Sequence, residues 1–299
     1  MFEVRRLRLL RELSIHGTVA AAAAAANLTP SAVSQQLGQL ERQARTRLFV
    51  REGRRLRLTA AAHILVAHTE RILAELEAAR AEVAALDRSI GGTVSLAAFP
   101  SAAVHIAAAA IADCRATHPD LRVLLSESEP QDSLADLRAH RIDAALVYEY
   151  NLLPRLDEPG IDIHRLRDEP LLLAAPPGRW PDDGDGPDGL AACRDDRWIA
   201  PHSDTALRTV LERACHAAGF TPQLDYASDD FTVIMALIQA GLGVSLIPHS
   251  IVEPLAADVR LYPVADLELT RTVSVAVRAG SRHDPAIDTL IGALRDTAT

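Results

Sequence analysis

The sequence predicts an α/β protein built in three parts: a small basic helical head, one long helix, and a larger acidic α/β body. Three observations lead there. Charge is divided unevenly along the chain, an apolar heptad lies within its first third, and beyond that heptad strand-like and helix-like runs alternate.

The 299 residues carry a formal net charge of -9. Yet residues 1–59 hold eleven arginines against Glu3, Glu12, Glu41 and Glu52, a net of +7, while the remaining 240 hold 20 arginines against 36 acids, a net of −16. A basic head on an acidic body points to a polyanionic partner. Lysine is absent, so every basic side chain other than histidine is arginine, a trait of genomic base composition rather than of function. Cys114, Cys193 and Cys215 are far apart and form no C-x-x-C pair, which predicts free thiols in a reducing compartment. The N-terminus MFEVRRLRLLRELS lacks the continuous apolar core of a secretory signal. No apolar run approaches the ~18–20 residues that cross a bilayer. A soluble cytoplasmic protein with no membrane partner is expected.

In the head, Val4, Leu7, Leu10 and Leu13 recur at helical spacing over residues 4–15, and His16-Gly17 ends that helix. Thr18 is placed to cap a second helix of alanines, whose small side chains allow close packing. After the turn at Asn27-Leu28, Thr29 caps a third helix that opens on Pro30, where a missing N–H costs nothing. Burial of Val33, Leu37 and Leu40 leaves Ser31, Ser34, Gln35, Gln36 and Gln39 facing outward. Helix, tight turn, helix, with polar side chains on the exposed start of the second, is what reading a DNA major groove requires. Helix N-termini and hydroxyls also hold phosphates. Next, VREGRRLRLT alternates as a short hairpin, a wing whose Arg51, Arg54, Arg55 and Arg57 would meet the DNA backbone or minor groove. The candidate DNA-binding residues are thus Thr29, Pro30, Ser31, Ser34, Gln35, Gln36, Arg51, Arg54 and Arg55.

Residues 60–88 form the longest helical pattern. Leu65, Ile72, Leu76, Ala79, Val83 and Leu86 fall at spacings of 7, 4, 3, 4 and 3, with Thr69 in the one gap. Such a seam calls for a partner helix, and Gly91-Gly92 ends it. From Thr93 the pattern alternates: TVSLAAF, LRVLLSES, IDAALVYE, EPLLLAA, RWIAP, PQLDYAS, GVSLIP and RTVSVAVRA as strands, with helices at 101–118, 133–140, 204–218 and 231–240. This alternation indicates an α/β body with largely parallel sheets. The acidic loop at 182–188 has EF-hand spacing at Asp183 and Asp185, but Pro187 occupies the third ligand position and no glutamate follows, so a surface turn is expected. No G-x-S-x-G, P-loop or H-E-x-x-H appears, and no cofactor, metal site or enzymatic activity is expected. The competing reading is a solute-binding or enzymatic α/β protein that happens to carry a basic head.

These residues together resemble the LysR-type transcriptional regulators over essentially the whole chain. The specific match is LTPSAVSQQLGQLE followed by RLFVREGRRLRLTAA. LRAHRIDAALV, RDEPLLLAAPPG and IQAGLGVSLIP add weaker matches in the family's order. The resemblance implies a winged helix-turn-helix over 1–59, a linker and dimerisation helix over 60–90, and a two-lobed effector-binding domain over 91–299, similar to periplasmic binding proteins. Lobe I would span about 92–163 and 267–299 and lobe II about 164–266, the chain crossing near 162–164 and returning near 265–268. It also implies double-stranded DNA, a small-molecule effector, further copies of the chain in a homodimer or homotetramer, and RNA polymerase as partners. Gln35 stands where the family most often has arginine, Ala62 replaces a usual glycine, and His140 occupies a turn position usually held by glycine, where positive φ is expected.

In that architecture strand ends and helix starts line the cleft between lobes. The candidates are Pro100, Ser101 and Ala102, Ser126 and Glu127, and Tyr148 and Glu149 from one lobe. The other contributes His202, Ser203 and Thr205, then Ser228, Asp230 and Phe231. Ser101 and Ser203 at helix starts would suit an anion. Glu127, Glu149 and Asp230 would repel a carboxylate and suit an amine or a hydroxyl-rich ligand. Trp180 and Trp198 are expected in a surface loop and in lobe packing.

Overall fold

A computed structural model describes residues 1–52, 55–86, 90–180, 186–203, 205–251, 259–264 and 267–298, and the backbone alone at residues 51, 52, 55 and 84. The head is three helices, α1 (Val4–His16), α2 (Val19–Ala25) and α3 (Pro30–Ala44). The Thr18 and Thr29 hydroxyls accept the Ala21 and Ala32 N–H groups, as N-caps do. Leu7, Leu10, Leu13, Ala22, Ala23, Val33, Leu37 and Leu40 close one core. Two details differ from expectation. Val4 is exposed and Leu9 is buried in its place, because α1 is also covered by the long helix. Gln39 is half-buried rather than outward, with its Oε1 lacking a partner. The wing is an antiparallel pair, β1 (Phe49–Glu52) and β2 (Arg55–Leu58), with Phe49 opposite Leu58. Glu41 ties it to α3 by accepting the Leu48 and Phe49 N–H groups at 2.8 and 3.2 Å.

Helix α4 (Ala60–Ala84) is capped by Thr59, whose hydroxyl accepts the Ala62 N–H. Leu65 and Val66 pack into the head core, and Thr69 is fully buried, its hydroxyl donating to the Leu65 carbonyl. The first members of the predicted seam therefore serve the protein's own head. The rest stay in water: Ile72 is 38% exposed, Leu76 47%, Val83 68% and, just past the helix, Leu86 81%.

The body has two lobes. In the first, β3 (Gly92–Ala98) lies parallel to both β4 (Leu121–Glu127) and β5 (Ala144–Tyr150). Between β3 and β4 runs a helical rod: α5 (Pro100–Ala102), a π-helical turn at Ala103–Ala107, and α6 (Ala108–Thr117). Helix α7 (Pro130–Arg138) precedes β5 and starts earlier than residue 133, where the sequence pattern begins. His140 follows it at φ 56, the left-handed backbone that its turn position suggested. The second lobe is built on β7 (Arg197–Ala200) and β8 (Gln223–Ala227), which are parallel, with α8 (Ala206–Ala217), α9 (Phe231–Gln239) and β9 (Ser245–Pro248). Thr205 caps α8, so that helix begins after residue 204, which lies outside the described residues, as does the acidic loop at Asp183 and Asp185.

One long strand, β6 (Ile161–Ala175), belongs to both lobes. Its first part pairs with β11 (Thr270–Arg278) as far as Pro170, and its second part pairs with β9 and with β10 (Arg260–Pro263). The expected change of lobe at 162–164 thus falls inside the stretch still paired in the first lobe, and the sheet partners change at Pro170-Leu171. Strand β11 returns from the second lobe and runs antiparallel between β5 and β6, so the sheets are less parallel than the alternation suggested. Strand β10 and the closing helix α10 (Pro285–Thr297) were not legible in the strand-and-helix pattern. Each lobe buries apolar side chains on two faces of its sheet: α6 and α10 against α7 in the first, α8 against α9 in the second. Trp198 is fully buried in the second lobe, 6.2 Å from the Phe220 ring, with its indole N–H donating to the Cys193 carbonyl. Trp180 is half-buried against Tyr262.

Trp198→Ala should cost about 3–5 kcal/mol, the range for emptying a large aromatic site in a packed core. Urea unfolding followed by circular dichroism checks it. An unchanged midpoint would place Trp198 outside the energetic core of the second lobe.

Candidate functional site

The first candidate surface is the start of α3. Thr29, Pro30, Ser31, Ser34 and Gln35 are all exposed there. Thr29 is committed to its cap, and its hydroxyl also lies 3.1 Å from that of Ser31. Gln36 is half-buried and its Oε1 accepts from Arg6 Nε at 3.0 Å, which turns it toward the head's own α1. No acidic side chain occupies the first turn of α3, so its N–H groups and partial positive charge face outward unopposed. Of the wing residues, Arg54 lies outside the described residues; the backbones of Arg51 and Arg55 sit opposite Leu56 and Glu52 in the ribbon.

The second candidate is the cleft between the lobes, and its floor holds a residue that sequence reasoning missed. Arg271, at the start of β11, is 3% exposed. Its Nε donates to Glu169 Oε1 at 2.6 Å, its Nη1 to Ser101 Oγ at 3.3 Å and its Nη2 to Ser250 Oγ at 3.2 Å. Glu169 is the cross-strand partner of Arg271 in the β6–β11 register and also accepts the Ser250 N–H at 3.0 Å. Ser101 comes from the first lobe and Ser250 follows β9 of the second, so this buried pair holds both lobes. Burial alone would push the Glu169 carboxyl up; Arg271 and the Ser250 N–H and hydroxyl outweigh it and hold it below the usual carboxylate range.

Aromatic rings wall the floor. The guanidinium carbon of Arg271 lies 5.3 Å from the Phe99 ring centre and 5.8 Å from that of Tyr148. Phe99, Tyr148 and Tyr150 meet edge to face, with centroids 4.7 and 5.5 Å apart. Burial pushes the Tyr150 phenol up to about 12, with Arg271 opposing the rise, and raises Tyr148 as well, so both are neutral at neutral pH. The Tyr148 hydroxyl donates to Glu129 Oε2 at 2.9 Å. Glu129 keeps part of its surface in water, yet partial desolvation lifts it above the usual carboxylate range. Asp229 of the other lobe and Glu127 add to the rise, and the Tyr148 hydroxyl and Arg271 oppose it. His202 accompanies Asp229: its N–H and its Nδ1 lie 2.9 Å from the two carboxylate oxygens.

Several predicted cleft residues have other duties. Glu149 accepts the Leu156 N–H, Asp230 caps α9 at the Thr232 N–H, Ser228 bonds to the backbone of Asp230, and Thr205 caps α8. Ala102 is buried in the first-lobe core and Phe231 packs between both second-lobe cores. Pro100, Glu127 and Ser203 are exposed. The floor therefore unites Ser101 and Tyr148 with Arg271, Glu169, Ser250 and Glu129. A legible signal did exist. Arg271 opens the run RTVSVAVRA and Glu169 the run EPLLLAA, both otherwise rich in valine, leucine and alanine, and charges there are buried only when paired. Among the described residues no group of three or more histidine, cysteine or acidic side chains could hold a metal, and no helix is long and apolar enough to cross a membrane.

Comparison with known proteins follows the same division. Residues 4–63 match the family model described as "Bacterial regulatory helix-turn-helix protein, lysR family", and residues 87–299 match "LysR substrate binding domain". The HTH-type transcriptional regulator GalR of Pseudomonas putida is 27% identical over all of this chain and 75% of its own. The SDS degradation transcriptional activation protein of a Pseudomonas species is 27% identical over 99% of this chain and 96% of its own. Among solved structures, full-length BenM superposes with a TM-score of 0.60 at 21% identity, covering 99% of this chain and 96% of its own. Full-length CbnR in complex with its target DNA gives 0.57 at 22%, covering 99% and 100%.

Arg271→Met should leave the Glu169 carboxylate buried and unpaired and cost about 3–5 kcal/mol at neutral pH. The pH dependence carries the sign. In the parent, Glu169 titrates below its unfolded value, so its contribution is present above the ordinary carboxylate pKa near 4.5 and is lost as pH falls through the lower folded value. In the variant, protonation relieves the penalty. The stability gap should therefore shrink as pH falls through the ordinary carboxylate range toward the parent's lower folded value, and level off below it, as read by denaturant midpoints across pH. A constant gap would show that the two groups do not share their charge.

Proposed function

The chain belongs to the LysR-type transcriptional regulators, and we propose that it reads its operator through the exposed start of α3 and responds to a small molecule held over the Arg271–Glu169 floor. It is a DNA-binding transcriptional regulator with an effector-binding domain. The observation that carries the proposed reading is the exposed polar row Ser31, Ser34 and Gln35 on a head whose net charge is +7. Serine and glutamine hydrogen-bond base edges, while the α3 N-terminus and the wing residues Arg51, Arg54 and Arg55 supply phosphate contacts. Residues 1–59 act as the head, 60–90 as the linker and 91–299 as the effector domain. A regulator of this design works on the chromosome in the cytoplasm, meets RNA polymerase there, and needs no catalytic residue.

The stripe Ile72, Leu76, Ala79 and Val83 is covered by the same stripe of a second copy, since a LysR-type operator with two half-sites is met by a dimer. In the cleft, an amine or a hydroxyl-rich effector fits better than a carboxylate. Glu149 and Asp230 are occupied by backbone N–H groups, but Glu129, Asp229 and Glu127 face the mouth, and the buried Arg271 of the floor is already neutralised by Glu169.

Gln35→Ala should weaken operator binding by a factor that corresponds to about 1–3 kcal/mol and leave binding to unrelated DNA nearly unchanged, measured by fluorescence anisotropy at fixed salt. Equal loss on both DNAs would reduce Gln35 to a positioning contact. Leu76→Asp places a charge in the apolar stripe and should yield monomers by light scattering, with loss of binding to a two-half-site operator. A dimer that survives it would move the interface elsewhere. In a thermal-shift screen of small amines, polyols and carboxylates, the first two classes should stabilise the protein more than the third, and stabilisation should fall in Glu129→Gln.

A further inference from the structure

Helix α4 has two opposite faces. At 100° per residue, Ile72, Leu76, Ala79 and Val83 lie on one side, and Glu70, Ala74, Glu77 and Ala81 on the other. The first face is exposed, while on the second Ala81 is buried and the others are half-buried. What covers the second face is the far end of the same two strands that carry the cleft floor. Gly160 immediately precedes β6 and Gly280 follows β11 by two residues, and Ala279 N–H donates to the Gly160 carbonyl at 2.9 Å. Both glycines have positive φ, 75° and 87°. A Cβ at Gly280 would run into the Ala74 carbonyl oxygen, and one at Gly160 into the Glu70 carboxylate. The pair forms a saddle on which the helix backbone rests.

Charges lock that saddle. Arg278, the last residue of β11, is 7% exposed, and its Nε donates to Glu77 Oε1 at 3.2 Å. Its remaining donors go to the Leu137 and Ile142 carbonyls and to Asp143, so the guanidinium is rigidly seated in the first lobe. Two helical turns away, Glu70 accepts from Arg11 Nε of the head at 2.7 Å, with Arg11 itself only 6% exposed. Glu70 and Glu77 thus sit two turns apart on one helix face, one holding the head and the other the lobe.

The cleft and the clamp are therefore two ends of a single object. Arg271–Glu169 and Arg278–Ile161 are register pairs of the same β6–β11 ribbon, seven residues apart, about 23 Å at ~3.3 Å per residue. We infer that the ribbon is a lever: a change in how Arg271 and Glu169 hold the two lobes shifts its far end, and the Arg278–Glu77 contact passes that shift to α4 and through Glu70–Arg11 to the DNA head. Glu77 is then a positioning residue of the regulatory response. Both partners of the contact are largely desolvated, so removing one of them leaves a buried charge unpaired and costs more than losing a surface pair. A cavity of about 230 Å³ beside it, lined by Glu77, Arg80, Asp143, Arg278 and Asp284 among others, leaves the helix room to move on the saddle. This inference rests on the cleft as the effector site only for its biological meaning; the mechanical link itself is tested without any effector.

The test is a distance measurement between spin labels on the full-length chain, at Thr46→Cys in the head and Ala116→Cys in the first lobe, diluted with unlabelled protein. Both positions are exposed, whereas Cys114, Cys193 and Cys215 are buried and escape labelling. The parent should give one narrow distribution. Glu77→Ala should broaden it, and Glu77→Gln, which keeps an acceptor for Arg278, should restore most of its sharpness. Arg271→Lys, too short to hold Glu169, Ser101 and Ser250 together, should shift the mean distance by about 2–5 Å when Glu77 is present (between the scale of an interface helix shift and that of a one-turn ratchet) and should not shift it in the Glu77→Ala background. Should Arg271→Lys fold poorly, Ser101→Ala with Ser250→Ala perturbs the same floor more gently. An unbroadened distribution in Glu77→Ala overturns the inference. So does a cleft-induced shift that is absent in both backgrounds or equal in both. If no small molecule binds the cleft but the Glu77-dependent shift is seen, the lever stands and only the effector reading fails.

Discussion

The buried Arg271–Glu169 pair sits where the chain changes lobe, and the geometry of the body is organised around it. Two charges taken out of water are tolerated only with excellent geometry and with their remaining hydrogen bonds satisfied. Here the cross-strand register sets them opposite each other, and Ser101 and Ser250 satisfy what is left over. Because those serines come from different lobes, satisfying the pair also sets how the lobes face one another. The same pair explains the chemistry of the cleft. With its arginine already neutralised, the electrostatic balance passes to Glu129, Asp229 and Glu127 at the mouth.

The strands that carry the pair do more than join the lobes. Strand β6 is shared between two sheets and β11 runs antiparallel beside it, so the two form a ribbon with little freedom to bend except at the register shift between Val273 and Ser274. Packed interiors transmit displacement rather than absorb it. A ribbon anchored at one end by a buried ion pair, and seated at the other against a helix backbone, is therefore suited to carry a change of lobe geometry outward.

Helix α4 contacts the head and the first lobe and leaves a third, apolar stripe exposed, and its sequence separates the three. Leu65, Val66, Thr69 and Glu70 meet the head, Ala74, Glu77 and Ala81 meet the first lobe, and Ile72, Leu76, Ala79 and Val83 stay exposed. Small residues are used where the lobe's backbone comes close, and large apolar ones where a second helix would interlock. A helix divided in this way links head orientation to lobe position, because neither face can tilt without moving the other.

Much of this was legible from residues alone. Helix caps at Thr18 and Thr29, the core face of α3, the wing and the heptad are local patterns, set by backbone propensity and by periodicity, and short-range physics decides them. The positive φ of His140 came instead from the family resemblance, which places it at a turn usually held by glycine. The cleft was legible only in outline. Strand ends and helix starts could be placed, but Glu149, Asp230, Ser228 and Thr205 look the same in sequence whether they bind a ligand or satisfy a nearby N–H. Arg271, Glu169 and Ser250 are separated by up to 102 residues, and nothing local joins them until β6 and β11 pair. The sequence by itself determined the parts: a DNA-reading head, a seam-bearing helix and an α/β body. Only the tertiary structure decided which charges meet, because a buried ion pair depends on register between distant strands, and that register is settled by the packing of whole lobes rather than by any one segment.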